Sequence, residues 1–157
     1  MKLIAHRALM EGPDKGLEND PKQVELALSR GFDVEIDLWY ADRCWMLGHD
    51  YPQYIIKKDF LDTPGLWIHC KDLTSFFTLR REKHTSNYFW HDTDKVVLTN
   101  QGNVWTYFGF PEMLNEMSIC VMPEVNYTWE AIESIYRNNL CMGICSDHVA
   151  RMQTWQE

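Results

Sequence analysis

The chain has 157 residues, a length that reads as one domain able to bury a core without metal or disulfide staples. Apolar residues are 45% of it and charged residues 24%, ordinary for a soluble globular protein, and Gly and Pro are too few for a collagen-like or low-complexity chain. The net charge of −8 argues against a nucleic-acid surface, and no apolar run reaches the roughly 18 residues of a membrane span.

Lys2 to Ala8 predicts a short strand ending in His6-Arg7, and it turns polar too early to predict a secretory leader. A Gly/Pro-bearing loop covers 11–16. Asp20-Pro21 predicts a helix start, with Asp as N-cap, Pro at the first helical position, Val24, Ala27 and Leu28 as the buried stripe, and Gly31 as the stop. Residues 32–40 predict a strand and 44–50 a shorter one. After the Pro64-Gly65 breaker, Leu66 to Cys70 predicts a buried strand. Residues 72–84 predict a helix, with Leu73, Phe76, Phe77 and Arg80 at three- and four-residue spacing. Residues 87–91, 96–99, 104–108 and 119–122 predict four short strands. Thr128 caps a helix with the stripe Trp129, Ile132, Ile135 and Tyr136. Residues 140–145 predict the last strand, and Asp147 opens a short terminal helix.

Strands alternating with helices favour a parallel α/β architecture over the single domain 1–157. An eight-stranded barrel takes about 250 residues, so at about 20 residues per strand this one would lack several outer helices, chiefly between 87 and 118. The five cysteines, Cys44, Cys70, Cys120, Cys141 and Cys145, are odd in number, form no CxxC pair and sit in apolar runs. They predict buried reduced thiols and a cytoplasmic protein, not a disulfide framework, and they lack the His/Cys spacing of a zinc site.

Two features carry chemistry. In Asp33-Val34-Glu35-Ile36-Asp37-Leu38, strand periodicity puts the three acids on one face and the three aliphatics on the other. Phe32 and Trp39-Tyr40 flank the run and embed it in the core. Buried carboxylates need partners, and oxygen ligands suit Mg²⁺ or Ca²⁺. Next, His6-Arg7 ends one strand and His49-Asp50 ends another. Arg holds a phosphate bidentately, and two imidazoles divide phosphoester cleavage between proton removal and protonation of the leaving oxygen.

Ile4-Ala5-His6-Arg7, Glu18-Asn19, Val34-Glu35-Ile36-Asp37 and Gly48-His49-Asp50 together resemble the glycerophosphodiester phosphodiesterase family, whose pattern runs HRG, ENT, ExD, HD in this order. Residues 66–71 resemble its strand carrying acid-x-Lys, and Ser146-Asp147 its closing Thr-Asp. The resemblance implies a reduced (β/α) TIM-type barrel of the phospholipase-C-like phosphodiesterase kind and a single glycerophosphodiesterase-like domain over 1–157. It further implies His6 and His49 as the acid/base pair and Arg7 and Lys71 as phosphate ligands. Glu35 and Asp37 would hold a divalent metal, Mg²⁺ or Ca²⁺ first and Mn²⁺ as an alternative, while Glu18 and Asn19 would brace the loop after the first strand. The substrate would be a small phosphodiester of the glycerophosphodiester kind.

Four departures accompany the match. Ala8 stands where the family has Gly, Asp20 where it has Thr, and Val121-Met122-Pro123-Glu124 where it has an aromatic segment. His69 stands where it has the third metal carboxylate, and an imidazole suits softer metals. Glu124 or Asp92 are substitutes for that acid from a neighbouring strand. The expected activity is metal-dependent phosphodiester hydrolysis. The alternative is a binding module that keeps the phosphate pocket without turnover. A purely structural domain leaves the acidic face unexplained. The apolar segment 96–110 has no helix to cover it, which predicts a homodimer through that segment unless the 109–118 loop folds over it.

Overall fold

A computed structural model describes residues 1–107 and 111–156. In chain order its strands are β1 (Lys2–Ala5), β2 (Asp33–Ala41), β3 (Cys44–Leu47), β4 (Tyr54–Ile56), β5 (Leu66–Cys70), β6 (Asn87–Phe89), β7 (Val96–Leu98), β8 (Val104–Tyr107), β9 (Ser118–Val121) and β10 (Gly143–Ser146). The helices are α1 (Pro21–Ser29), α2 (Leu73–Arg81), α3 (Trp129–Arg137) and α4 (Val149–Gln153). Side-chain caps set the starts of three helices. Asp20 accepts from Lys22 N, Asp72 from Ser75 N and Thr128 from Ala131 N.

The acidic segment, β2, organises the sheet. On one edge β1 lies parallel to it, with Ile4 opposite Asp33 and Ala5 opposite Val34. On the other edge β5 lies parallel, from Leu66 opposite Val34 to Cys70 opposite Leu38, and β6 follows. Beyond β1 come β10, β9 and β8, all parallel, with β7 antiparallel on β8. The overhanging end of β2 pairs antiparallel with β3, which carries β4, an element with no counterpart in the sequence reading.

The expected TIM-type (β/α) barrel does not form. The ten strands make one mixed sheet, curled into a half-barrel with few and short helices. Among the described residues, three connections between neighbouring parallel strands carry an α-helix: α1 between β1 and β2, α2 between β5 and β6, and α3 between β9 and β10. The chain between β2 and β5 is taken up chiefly by the antiparallel β3–β4 pair, and the described residues between β6 and β9 by β7, β8 and turns. Neither stretch has an apolar stripe at helical spacing.

The curl brings the flanks together. Asn100 N donates to Tyr88 O at 2.9 Å, Tyr88 N donates to Asn100 Oδ1 at 2.7 Å, and the rings of Phe89 and Trp105 are 4.7 Å apart. Each strand therefore has a convex face under the helices and a concave face turned inward. On β2 the convex residues Val34, Ile36 and Leu38 are fully buried in the larger core with Val24 and Ala27 of α1 and Leu79 of α2. Burying such a side chain contributes about 1.5–3 kcal/mol. Ile4, Trp67, Phe89, Trp105, Ile119, Val121 and Cys145 fill the concave side.

Trp105 thus faces inward and is no part of the uncovered apolar surface expected of segment 96–110. Leu98 and Tyr107 are the exposed large apolar residues of β7 and β8, and Phe108, Gly109 and Phe110 lie outside the described residues. All five cysteines are free, and only Cys44 is not buried. No helix among the described residues is long and apolar enough to cross a membrane.

Candidate active site

The chain ends of the parallel strands open onto a cavity of about 580 Å³. His6, Arg7, Glu35, Asp37, His49, His69 and Lys71, drawn from four separate stretches of sequence, all line it. His91, Asp92, Trp105 and Tyr107 are among the other residues that line it.

The first strand is shorter than the sequence suggests. It stops at Ala5, and His6–Ala8 form a tight turn with Arg7 (φ 50°) and Ala8 (φ 66°) in the left-handed region. Glycine adopts that conformation most freely, so Arg7 and Ala8 hold it against a steric cost. The turn aims the Arg7 amide at Glu35, donating to Oε2 at 2.9 Å. It also sets Arg7 Nη1 3.3 Å from Glu18 Oε1 and Nε 3.5 Å from Asp37 Oδ2.

Where β1 stops, Asn19 takes over as the partner of β2. Its amide donates to Arg7 O at 3.0 Å, its side-chain Nδ2 donates to Asp37 Oδ2 at 2.9 Å, and its Oδ1 accepts from Asp37 N at 2.8 Å. Asn19 is fully buried and left-handed (φ 59°), a conformation asparagine tolerates.

Glu35 and Asp37 are 2% and 1% exposed. His69 Nδ1 lies 3.1 Å from Asp37 Oδ1 and 3.9 Å from Glu35 Oε1, and Lys71 Nζ lies 3.5 Å from Asp37 Oδ1. Despite these charged neighbours, Asp37 Oδ1 has no hydrogen bond of good geometry. Burial works against the Asp37 charge, but His69, Lys71 and Arg7 outweigh it and hold the carboxyl well below the usual range. Glu35 moves the other way, pushed up by burial and then by the Asp37 charge. Arg7, Lys71 and the imidazoles therefore partner these acids before any ion is considered.

The two candidate acid/base histidines are each tied through Nδ1. His6 Nδ1 donates to Asp147 Oδ1 at 2.8 Å, and His49 Nδ1 donates to Asp50 Oδ1 at 2.7 Å, leaving Nε2 as the free nitrogen of each ring. Burial lowers the pKa of His6, but the hydrogen bond to Asp147 and the nearby Glu35 charge override it and raise the value above 6.5. His49 stands on a turn that only glycine can build. Gly48 has φ 149°, and a Cβ there would meet Tyr51 O at 2.2 Å. Gly48 N donates to Asp37 O at 3.1 Å, and Gly48 O accepts from Trp39 Nε1 at 2.6 Å, so the turn is anchored to β2.

Several expectations change. Asp33 shares the face of Glu35 and Asp37 but sits at the other end of β2, paired with Lys2 Nζ at 2.6 Å and Trp67 Nε1 at 3.0 Å. It is no part of the cluster. Glu124 does not replace the third acid: its Oε1 accepts from Ser146 Oγ and from Asp147 N, which fixes the residue that holds His6. Asp92 is exposed on the cavity wall, and no metal-competent group among the described residues includes it. Sequence reasoning gave no chemical role to Asp147, read there as a helix start and the match to the closing Thr-Asp, or to His91, whose ring stacks on His69 at 4.6 Å. The sequence signal for Asp147 is its place directly after the last strand, and the β10–β1 register, with Ser146 beside Ala5, then sets it against His6. Burial, with His69 and Lys71 beside it, pushes His91 down to about 4.

Glu35, Asp37 and His69 each offer a ligand atom within 4.8 Å of the others, and the buried unsatisfied Oδ1 of Asp37 faces this group, so the residues present fit a divalent cation. Comparison of the chain with protein-family models, with curated proteins and with solved structures finds no match.

Proposed function

We propose that this chain hydrolyses a small phosphodiester with the aid of a divalent metal. One observation carries the reading: two Nδ1-anchored histidines, two phosphate-competent cations and a metal-competent cluster share one cavity. Arg7 and Lys71 bind the anionic oxygens of the substrate. His6, whose imidazolium Asp147 and the Glu35 charge favour, delivers its Nε2 proton to the leaving alcohol oxygen. His49 Nε2 takes the proton of the attacking oxygen. Asp147 fixes the ring of His6, and Asn19 fixes Asp37 and the Arg7 turn together. Glu35, Asp37 and His69 would hold the metal, which supplies charge neutralisation at the phosphoryl oxygens. The order of the His-Arg, Glu-Asn, Glu-x-Asp and His-Asp motifs supports the same assignment.

The test is turnover of a nitrophenyl phosphodiester in the presence of Mg²⁺, Ca²⁺, Mn²⁺ or Zn²⁺. His6→Ala and His49→Ala should each lose about 100-fold or more of the rate. Activity that survives both substitutions overturns the assignment. Tight binding of the phosphodiester with no turnover under any metal makes the domain a binding module instead.

A further inference from the structure

The feature that sets this cluster apart is nitrogen. An imidazole, His69, completes the two-carboxylate group, and one face of its ring is covered. His91 lies against it with centroids 4.6 Å apart and planes 7° from parallel, and Phe89 lies 5.1 Å away at 8°. Phe89 and His91 are alternate residues whose rings are 6.1 Å apart, so both cover the same face of His69. This support holds Nδ1 toward the carboxylates.

The spacing and the charge both select among ions. A four-coordinate ion with bonds of about 2.0–2.1 Å sets its ligand atoms about 3.3 Å apart. The separations from His69 Nδ1, 3.1 Å to Asp37 Oδ1 and 3.9 Å to Glu35 Oε1, straddle that value. Asp37 Oδ1, on a residue 1% exposed, is a buried acceptor with no hydrogen bond and faces the same point. Hard cations bind through many oxygens and the negative charge those carry. Here only two carboxylates are offered, and Arg7 and Lys71 already stand 3.5 Å from Asp37. That weakens a purely ionic bond, whereas an imidazole nitrogen adds affinity for borderline ions such as Zn²⁺ or Co²⁺ and little for Mg²⁺ or Ca²⁺.

We propose that Glu35, Asp37 and His69 form a mixed oxygen–nitrogen centre selective for a borderline divalent ion of the zinc class, with His91 as the positioning residue that holds the His69 ring. The inference rests on reading this cavity as the working site. It is tested by binding to the full chain, not by turnover. Calorimetric titration should show Zn²⁺ and Co²⁺ binding at one site at least about tenfold more tightly than Mg²⁺ or Ca²⁺. The Co²⁺ absorption spectrum should change when His69 is replaced. His69→Asp should reverse the order of preference, and Asp37→Asn should weaken every ion. His91→Ala should cost about tenfold in Zn²⁺ affinity, while His91→Phe, which keeps a flat ring and removes the nitrogen, should restore it.

Tighter binding of Mg²⁺ or Ca²⁺, or Zn²⁺ binding indifferent to both His69→Asp and Asp37→Asn, overturns the proposal. Equal losses in His91→Ala and His91→Phe overturn the positioning role. Zinc-class selectivity without phosphodiester turnover counts against the proposed hydrolysis and leaves this centre standing. Turnover with Mg²⁺ and no zinc-class preference does the reverse.

Discussion

Asp33 and Asp37 are the same residue type on the same face of the same strand, and the structure gives them different work. They stand four positions apart, about 13 Å of extended chain. At the Asp33 end, the neighbouring strands supply Lys2 and Trp67, and both hydrogen-bond Oδ2. The Lys2 side chain reaches solvent there, so this is a surface ion pair. At the Asp37 end the neighbours are Asn19, Arg7, His69 and Lys71, one oxygen lacks a hydrogen bond, and a cavity opens in front of them. An acid becomes a candidate for chemistry where the surrounding strands crowd charge against it and leave it incompletely satisfied.

The largest effect should come from neutralising the two acids in turn. Asp37→Asn keeps the shape and removes the charge that faces the cluster, so phosphodiester turnover should fall by about 100-fold or more. Asp33→Asn should leave turnover within about threefold and cost no more than about 1 kcal/mol of stability, as expected of a surface pair. Steady-state rates with parallel denaturant melts decide it. Equal rate losses at both positions would break the contrast between the two ends.

A smaller effect sharpens what the Asp37 end depends on. Gly48→Ala places a methyl group 2.2 Å from the Tyr51 carbonyl oxygen, which forces the turn carrying His49 to move. The strain should cost about 1–3 kcal/mol in a chemical melt and lower turnover with it. Gly102→Ala is the control, a positive-φ glycine with open space around its Cβ and no place in the cavity, and it should leave turnover unchanged. Comparable activity losses for both would mean that backbone strain in general, and not the position of His49, sets the rate.

The smallest effect compares the two faces of the sheet at one level. Cys70 pairs in register with Leu38 beside Asp37, but on the convex side, where burial and then the Asp72 charge push its thiol up to about 12 against an opposing bond from Ser75. An unfolded thiol titrates near 8.5, so between that pH and the native value the unfolded state sheds its proton first. Stability should therefore fall as pH rises through that window, by at most about 1.4 kcal/mol per pH unit for this group. Cys70→Ala should flatten the slope of urea-melt stability against pH. A slope unchanged by the substitution would contradict the burial of the thiol. In the native protein, Cys44 should react with iodoacetamide well before the four buried thiols.

Local chemistry in the chain was enough to determine several things. Alternation along 33–38 assigned Val34, Ile36 and Leu38 to the core and the acids to the other face, because a strand's side-chain period is two whatever surrounds it. Asp20-Pro21 and Thr128 marked helix starts, because capping needs only the adjacent amides. Strand-end positions brought His6, Arg7 and Lys71 to one rim, because parallel strands deliver their chain ends to one side, while His49 joins them on the turn after the antiparallel β3. What the tertiary structure alone decided is which strand lies beside which, and at what register. That choice paired Asp33 with Lys2, set Asp147 against His6 and laid His91 on His69. It also replaced the expected alternating barrel with a mixed, curled sheet. Periodicity fixes the face a side chain takes, whereas its partners across the sheet come from strands distant in the chain.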